Sequence, residues 1–304
     1  MSVNLPIRDI NARIGAGAGD FVAATDAAYA AQLDRIAEYI CAHREQSPVV
    51  LLSGPSGSGK TTTAHMLEQK LDAMGCETHT LSMDDYFHTL TPSQLALAAE
   101  GKLDLESPER VDAALLERQL EAFIAGEPIT IPHFDFCTST RGTSDRVITR
   151  KPGELLILEG IHALNPAVVS LPEEQTVRLY VSVRTRLITS ADIALHPMEI
   201  RLLRRMLRDV RTRGRDPRDT LRMLRSVQRG EDNYIMPYKH RSTFDIDTFF
   251  AYEVSVYKPM IAPLLLPLAD QPEVRELIPV LDELQPMDAA VVPINALIRE
   301  FIGE

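Results

Sequence analysis

The sequence predicts an α/β fold, a doubly wound parallel sheet with helices on both faces and an arginine-rich helical lid. Three observations predict it. Short apolar runs typical of buried strands alternate along the chain with helical segments. A glycine-rich loop separates the first run from the helix after it, and arginines at helical spacing follow the last run. We expect a lead and helix over residues 1–46, an α/β core over 47–266 with its lid at about 196–230, and a helical extension over 267–304.

The composition argues against several classes of protein. The 304 residues include 32 Lys and Arg against 43 Asp and Glu, a net charge of -11, and 45% of them are hydrophobic. This balance is typical of a soluble globular chain, and its acidity disfavours general nucleic-acid binding. No apolar run approaches the roughly 18 residues of a membrane helix. Because Arg8 and Asp9 lie where a signal peptide would be apolar, neither a leader nor a membrane partner is expected.

The three cysteines, Cys41, Cys76 and Cys137, are far apart, and none belongs to a CxxC pair. This spacing argues against a disulfide framework and against a zinc ribbon. A cytoplasmic location is therefore expected, because that compartment is reducing. A homo-oligomer is compatible with the sequence and is left open.

The first part of the chain is interpreted as helix, strand, helix and strand. A Gly/Ala-rich stretch before residue 25 predicts a flexible lead, and apolar residues at helical spacing follow it as far as Ile40. The run VVLLSG at 49–54 predicts a buried parallel strand. Residues 60–74 are helical in character, and the second strand, 77–83, ends at an acidic pair.

The rest of the core adds one capped helix and two strands. Ser107 is a good N-cap before Pro108, and an apolar stripe continues that helix to Phe123. The runs at 154–160 and 176–183 predict two more buried strands. Beyond them the chain becomes helical and arginine-rich, and prolines divide its last part into two or three short helices.

The strongest motif is GPSGSGKT, directly after the first predicted strand and directly before a predicted helix. That position is the one that a phosphate loop, the P-loop of NTPases, requires. Its glycines let backbone N–H groups converge on a phosphate, and the helix N-terminus adds its positive dipole. Lys60 would reach the β- and γ-phosphates and Thr61 would ligate Mg²⁺, so ATP and Mg²⁺ are the predicted cofactors. The predicted nucleotide contacts are Gly54, Pro55, Ser56, Gly57, Ser58, Gly59, Lys60, Thr61 and Thr62.

Two carboxylates end neighbouring strands downstream of this loop. Asp84 closes the second strand, and Glu159 closes the third. Both would project from the carboxyl edge of the sheet, where doubly wound folds bind their ligands. One carboxylate could hold Mg²⁺, directly or through water, and the other could accept a proton from an attacking hydroxyl.

The arginine segment has two interpretations. The residues spaced at i, i+3, i+4 and i+7 are Arg201, Arg204, Arg205 and Arg208. This single helical face could form salt bridges with surface carboxylates. Alternatively it could face a triphosphate, because guanidinium groups stabilise the charge of a phosphoryl group during its transfer. The candidates for the phosphates are Arg205, Arg208, Arg213 and Arg215. Gly214 would end the helix and act as a hinge for closure of the lid.

Six motifs occur in the order found in one known family: GPSGSGKTT, SMDDYF, SPERVD, IPHFDF followed by Arg141, LILEGIHALNP and RRMLRDVRTRGR. Over about residues 48–260 the chain resembles the uridine kinase and phosphoribulokinase family. The resemblance implies an ATP-dependent kinase with Asp84 as catalytic base and with Thr61 and Glu159 serving Mg²⁺. It also implies that the arginine helix forms a lid over the ATP phosphates.

The same resemblance implies an acceptor site for a small hydroxyl-bearing substrate. Its residues would be Tyr86, Phe87, Glu106, Asp112, Phe134, Asp135, Ser139, Arg141 and His162. His162 is either a substrate contact or a hydrogen-bonded structural histidine. Phe134 and Ser139 stand where uridine kinases have tyrosine and histidine, and Glu106 stands where they have aspartate. Because a phenylalanine cannot donate a hydrogen bond, the acceptor need not be uridine.

Three functions therefore remain open. The leading one is a kinase for a nucleoside or a related polar metabolite. A phosphoribulokinase-like enzyme acting on a sugar phosphate would need basic residues in the acceptor site, for which Arg141 is a candidate. An ATP-binding regulatory module without a metabolite acceptor is the third.

Overall fold

The computed structural model describes residues 3–303. The strands of this part are β1 (Val3–Pro6), β2 (Val49–Ser53), β3 (Thr78–Ser82), β4 (Ile129–Asp135), β5 (Thr140–Ile148), β6 (Leu155–Glu159), β7 (Thr176–Ser182), β8 (Thr185–Ile188), β9 (Ala194–Leu195) and β10 (Phe244–Asp247). Its α-helices are α1 (Ile7–His43), α2 (Lys60–Ala73), α3 (Pro92–Ala99), α4 (Ala113–Ala125), α5 (Pro197–Arg213), α6 (Pro217–Arg222), α7 (Leu224–Tyr234), α8 (Glu253–Leu265), α9 (Pro272–Arg275), α10 (Ile278–Glu283) and α11 (Arg299–Ile302).

The central sheet has five parallel strands in the order β10-β7-β2-β6-β3. Side chains of β2 alternate between two cores: Val50 and Leu52 belong to one, Val49 and Leu51 to the other. Helices α1, α2, α5 and α8 cover the first face, and α4 with the antiparallel β4-β5 hairpin covers the second. The predicted doubly wound sheet with helices on both faces is therefore confirmed.

The prediction of a flexible N-terminal lead was wrong. Helix α1 begins at Ile7, and β1 before it pairs in parallel with β8. Ile10, Ile14 and Phe21 are buried in the core, and their burial offsets the weak helix propensity of the glycines between them. Gly17 has non-helical backbone angles where two helical stretches join.

The cysteine spacing was also misleading. Cys41, near the end of α1, and Cys76, before β3, form a disulfide with a Cα–Cα distance of 6.2 Å. Packing of α1 against α2 brings the two residues together although 35 positions separate them. Only Cys137 is free among the described residues, and it is exposed. Cysteine usage therefore no longer supports a reducing compartment.

One local prediction needs correction, and two elements were missed. Ser107 caps only a short 3-10 helix, Pro108–Arg110, and α4 begins later with Asp112 as its N-cap. The β4-β5 hairpin was not predicted, although it forms one wall of the site described below. The fifth strand of the sheet, β10, was missed because its sequence, FDID, is half acidic.

The C-terminal part has three short helices, α9, α10 and α11, as its prolines predicted. Its last segment packs against α5 and beside the phosphate loop. Within residues 3–303, no helix is both long enough and apolar enough to cross a membrane.

Candidate active site

The phosphate loop connects the central strand β2 to the first turn of α2. Gly57 and Gly59 have φ angles of +75° and +83°, which glycine adopts without strain. A side chain at Gly54 would lie 2.1 Å from the backbone oxygen of Val181 on the neighbouring strand. Lys60 begins α2, and its Nζ donates to the Pro55 backbone oxygen across the loop at 3.3 Å. The loop thus presents backbone N–H groups and one lysine at a helix N-terminus, as phosphate binding requires.

A buried carboxylate lies directly beside this helix start. Glu159 Oε1 accepts hydrogen bonds from Thr61 Oγ1 and from Ser82 Oγ, both at 3.1 Å. The contact with Ser82 follows from the register of β3 and β6, in which the two residues are paired. Burial raises the pKa of Glu159, and the positive charge of Lys60 opposes that rise. A hydroxyl and a carboxylate at this point are the hard oxygen ligands that fit Mg²⁺.

Asp84 lies in a short 3-10 helix, Met83–Tyr86, that follows β3. It lines the same cavity as Lys60 and Glu159. Burial raises the pKa of Asp84, and Lys60 again opposes the rise. Its neighbour Asp85 points elsewhere, since it accepts from the Phe134 backbone N–H at 3.2 Å. Of the acidic pair, therefore, only the first residue faces the phosphate loop.

One cavity of about 420 Å³ joins these groups. Its phosphate end is lined by Ser56, Gly57, Gly59, Lys60, Thr61, Glu159, Arg208, Arg213, Arg215 and Glu300. Its other end is lined by Asp84, Phe87, Leu90, Leu95, Leu105, Glu106, Arg110, Phe134, Phe136 and Ser139. The predicted acceptor residues Phe87, Glu106, Phe134 and Ser139 thus lie together at the end away from the loop.

Tyr86, one of the other predicted acceptor residues, does not line the cavity. It is fully buried on the far side of its 3-10 turn, and its hydroxyl donates to Gln119 Oε1 at 2.7 Å. Because the turn directs successive side chains apart, Phe87 faces the cavity instead. Asp135 lies in the hairpin turn, where it accepts from the Cys137 backbone N–H.

Arg141 and His162 are also outside the cavity lining. Arg141 Nη2 pairs with Asp112 at 3.0 Å, so its charge is already compensated. The ring of His162 is buried edge-on to Tyr234 and near the backbone of Glu106, without a hydrogen bond of ordinary geometry to either ring nitrogen. Burial lowers the pKa of His162 to about 4, which keeps it neutral. His162 is thus a buried, neutral ring beside the cavity, and its part in substrate binding stays a prediction.

The arginines of helix α5 and of the residues just after it fall into two groups. The buried residues of α5 hold the phosphate loop: Arg201 Nη1 donates to Ser56 and Arg204 Nη1 to Gly57, each to the backbone oxygen at 3.1 Å. Arg205 packs its methylenes against Gly57 rather than lining the cavity. Burial lowers the pKa of Arg205 to about 10, so it remains charged at neutral pH.

The later arginines of this segment gather at the phosphate end of the cavity. Arg208, Arg213 and Arg215 each pair with the buried Asp209, at 2.9, 3.3 and 3.1 Å. One carboxylate is shared by three guanidinium groups. The cluster therefore keeps a net positive charge, as a phosphate-binding lid requires. Gly214 has a φ of +56° just beyond α5, in agreement with its predicted position at the helix end.

Several residues of the site were not predicted, and four of them are polar or aromatic. They are Ser82, Arg110, Phe136 and Glu300. Ser82 could have been found from the parallel register of two strands that end together. Glu300 accepts a hydrogen bond from Thr62 Oγ1 at 2.5 Å. No local motif predicts this contact, because 238 positions separate the two residues.

A phosphate loop, a carboxylate suited to magnesium and a second carboxylate in the same cavity, all beneath an arginine helix, define a P-loop kinase for small molecules. The chain belongs to the Phosphoribulokinase / Uridine kinase family, whose family model matches residues 49–254. It is accordingly a phosphotransferase that acts on a hydroxyl group. The predicted family and enzyme class are confirmed.

Two relatives and one solved structure are similar to parts of the chain. The chain is 29% identical over 198 residues to a uridine kinase of Lactobacillus johnsonii, covering 64% of this chain and 84% of that protein. It is 31% identical over 173 residues to a uridine kinase of Deinococcus deserti, covering 57% and 73%. A solved structure described as a possible uridine kinase from Bacillus stearothermophilus is 18% identical, with a TM-score of 0.41, covering 71% of this chain and all of that one.

Proposed function

We propose that this kinase transfers the γ-phosphoryl group of Mg²⁺-ATP to a hydroxyl of a nucleoside or a related small polar metabolite. The observation that carries the proposal is the single cavity, which is lined by Lys60, by Asp84 and by the predicted acceptor residues Phe87, Glu106, Phe134 and Ser139. A donor phosphate on the loop and an acceptor hydroxyl at Asp84 would share that space. Direct in-line transfer needs this arrangement.

Each group has a distinct part in this mechanism. The loop N–H groups and Lys60 bind the β- and γ-phosphates, and Arg208 and Arg213 stabilise the charge of the transferring group. Thr61 and Glu159 would hold Mg²⁺, which neutralises charge on the phosphates when bound. Asp84 accepts the proton of the acceptor hydroxyl as its oxygen bonds to phosphorus.

The two alternatives differ in their support. A regulatory module without an acceptor would not require the half-buried carboxylate of Asp84 in the same cavity as the phosphate loop. A sugar-phosphate kinase was expected to use Arg141, but that side chain is paired with Asp112 outside the cavity. Another basic residue, Arg110, lines the acceptor end and is considered below.

The test is acceptor-stimulated release of ADP from Mg²⁺-ATP. The full chain is assayed with nucleosides, sugars, polyols and hydroxy acids, and product formation is verified by mass spectrometry. We expect one class to stimulate ADP release well above the rate without acceptor. Slow hydrolysis that no acceptor changes would contradict the proposal and favour the regulatory module.

The pH profile should report on the base. Asp84 accepts a proton only when ionised, and burial raises its pKa above the ordinary value of 3.8. We therefore expect kcat/KM for the acceptor to fall as pH is lowered, with an apparent pKa above 3.8. Burial also raises the pKa of Glu106, so the profile is repeated with Glu106→Gln. Loss of the acidic limb in that variant would assign the limb to Glu106 instead.

Removing the metal carboxylate should weaken the Mg²⁺ dependence specifically. We expect Glu159→Gln to raise the Mg²⁺ concentration that gives half-maximal activity by about 10–100-fold, since an amide is a poorer ligand than a carboxylate. The measurement is a Mg²⁺ titration at fixed ATP. Glu127→Gln, an exposed substitution of the same kind, is the control. An unchanged Mg²⁺ requirement in Glu159→Gln would remove this residue from the metal site.

A further inference from the structure

Aromatic and leucine side chains form part of the acceptor end of the cavity. Three phenylalanine rings pack edge-to-face there, with centroids 5.6 Å apart for Phe87 and Phe134 and 5.2 Å apart for Phe134 and Phe136. Leucine side chains complete the wall. The polar side chains at this end are Asp84, Glu106, Arg110 and Ser139, and Arg110 is the basic one among them.

Arg110 is the basic residue of this wall. Its Cζ lies 4.6 Å from the ring centroid of Phe87 and 5.9 Å from that of Phe134. The residue ends the 3-10 helix Pro108–Arg110, and its backbone oxygen accepts from the His88 N–H at 2.8 Å. The guanidinium is therefore attached to a short, anchored segment. A guanidinium that packs on aromatic rings can still donate hydrogen bonds from its edge.

The charge of Arg110 is not matched by a partner. Among residues 3–303 it forms no ion pair, and its Nε is buried without a hydrogen bond. Arg141, by contrast, pairs with Asp112, and three lid arginines, Arg208, Arg213 and Arg215, share Asp209. Asp84 and Glu106 act on the charge of Arg110 only at longer range. Unmet donors on a fixed cation inside a cavity indicate a ligand with acceptor oxygens.

We propose that the acceptor carries an oxyanion, a carboxylate or a phosphate, and that Arg110 binds this group and thereby determines acceptor specificity. The inference rests on the proposed kinase function. Planar, paired oxygens match the fork of a guanidinium. The oxyanion takes no part in the chemistry: the acceptor hydroxyl oxygen bonds to the γ-phosphorus, the bond from that phosphorus to the β–γ bridging oxygen breaks, and the hydroxyl proton passes to Asp84.

The test compares kcat/KM for uridine, glycerate and ribose 5-phosphate, which represent neutral, carboxylate and phosphate-bearing acceptors. We expect one of the two anionic acceptors to be preferred, which also identifies the oxyanion. Arg110→Gln should lower kcat/KM for it by about 100-fold, a larger factor than for uridine. Arg110→Lys, which keeps the charge without the fork, should lose about tenfold.

Arg118→Gln, which removes an exposed arginine of α4, is the matched control and should behave as the unmodified chain does. ADP affinity, measured by calorimetry, shows that each variant is folded. Preference for uridine, or an Arg110→Gln variant that retains its kcat/KM for the anionic acceptor, overturns the inference and leaves the kinase proposal intact. No stimulation of ADP release by any of the three classes overturns both.

Discussion

Asp84→Asn is expected to lower kcat by about 10²–10⁴-fold while ADP still binds. The amide has nearly the shape of the carboxylate but cannot accept the proton that the acceptor hydroxyl must lose. The phosphate loop, Lys60 and Glu159 are unchanged, so nucleotide affinity depends on groups that the substitution does not touch. The measurements are acceptor-dependent ADP release at saturating substrates and calorimetric titration with ADP.

Asp85→Asn is the matched control, because it makes the same change one residue away. That carboxylate faces the hairpin, where it accepts from the Phe134 backbone N–H and lies 3.3 Å from His133 Nδ1. We expect its effect on kcat to be far smaller. Comparable losses in the two variants, or full turnover in Asp84→Asn, would show that Asp84 is not the base.

The same substitution carries a stability test with a definite sign. The pKa of Asp84 is raised in the folded chain, chiefly by burial, so ionisation of this carboxyl weakens folding at neutral pH. A neutral amide removes that cost. Asp84→Asn should therefore have a higher midpoint of thermal unfolding at pH 7, and the difference should shrink as pH falls towards the pKa of the carboxyl.

How well the sequence predicts a feature of this site depends on how far apart in the chain the residues that form it lie. The phosphate loop is one contiguous motif between a strand and a helix, so its role follows from local chemistry. Asp84 and Glu159 end parallel strands, and the ends of such strands meet at one edge of a sheet. Both features needed only the identification of strands. The phosphate loop, Asp84 and Glu159 could be predicted from the sequence for this reason.

Other features depended on tertiary packing. Tyr86 and Phe87 are adjacent, and the twist of one 3-10 turn decides which of them faces the cavity. The glycines of the N-terminal lead predicted flexibility, but burial of Phe21 and its neighbours keeps that segment helical. Arg110 lies in a motif that was recognised, yet only the folded chain brings its guanidinium over two aromatic rings from different segments.

The roles of the arginines in α5 also depend on tertiary packing. Its spacing predicted one charged face, but Arg204 and Arg208 serve different purposes because one is completely buried and the other reaches the cavity. Burial depends on α8, and Glu253 of that helix is 49 positions away from Arg204. The spacing of the arginines alone therefore could not show how much the pair of Arg204 and Glu253 contributes to stability.

Arg204→Met is expected to lower the free energy of unfolding by about 3–5 kcal/mol, because it leaves Glu253 charged and unpaired in the core. Both side chains have no exposed surface, and Arg204 Nε lies 2.7 Å from Glu253 Oε2. The same guanidinium donates to the backbone oxygens of Thr248 and Gly57, at 2.6 and 3.1 Å. The variant should therefore also bind ADP more weakly, since one support of the phosphate loop is lost.

Denaturant unfolding of Arg204→Met, of Glu253→Gln and of the double variant measures the coupling. A double variant less destabilised than the sum of the two single variants indicates a direct pair. Arg222→Gln is the control: it breaks an exposed ion pair with Asp219 and should cost no more than about 1 kcal/mol. Additive single effects would contradict the pairing. Unchanged ADP affinity in Arg204→Met would show that the phosphate loop binds nucleotide without the support of this guanidinium.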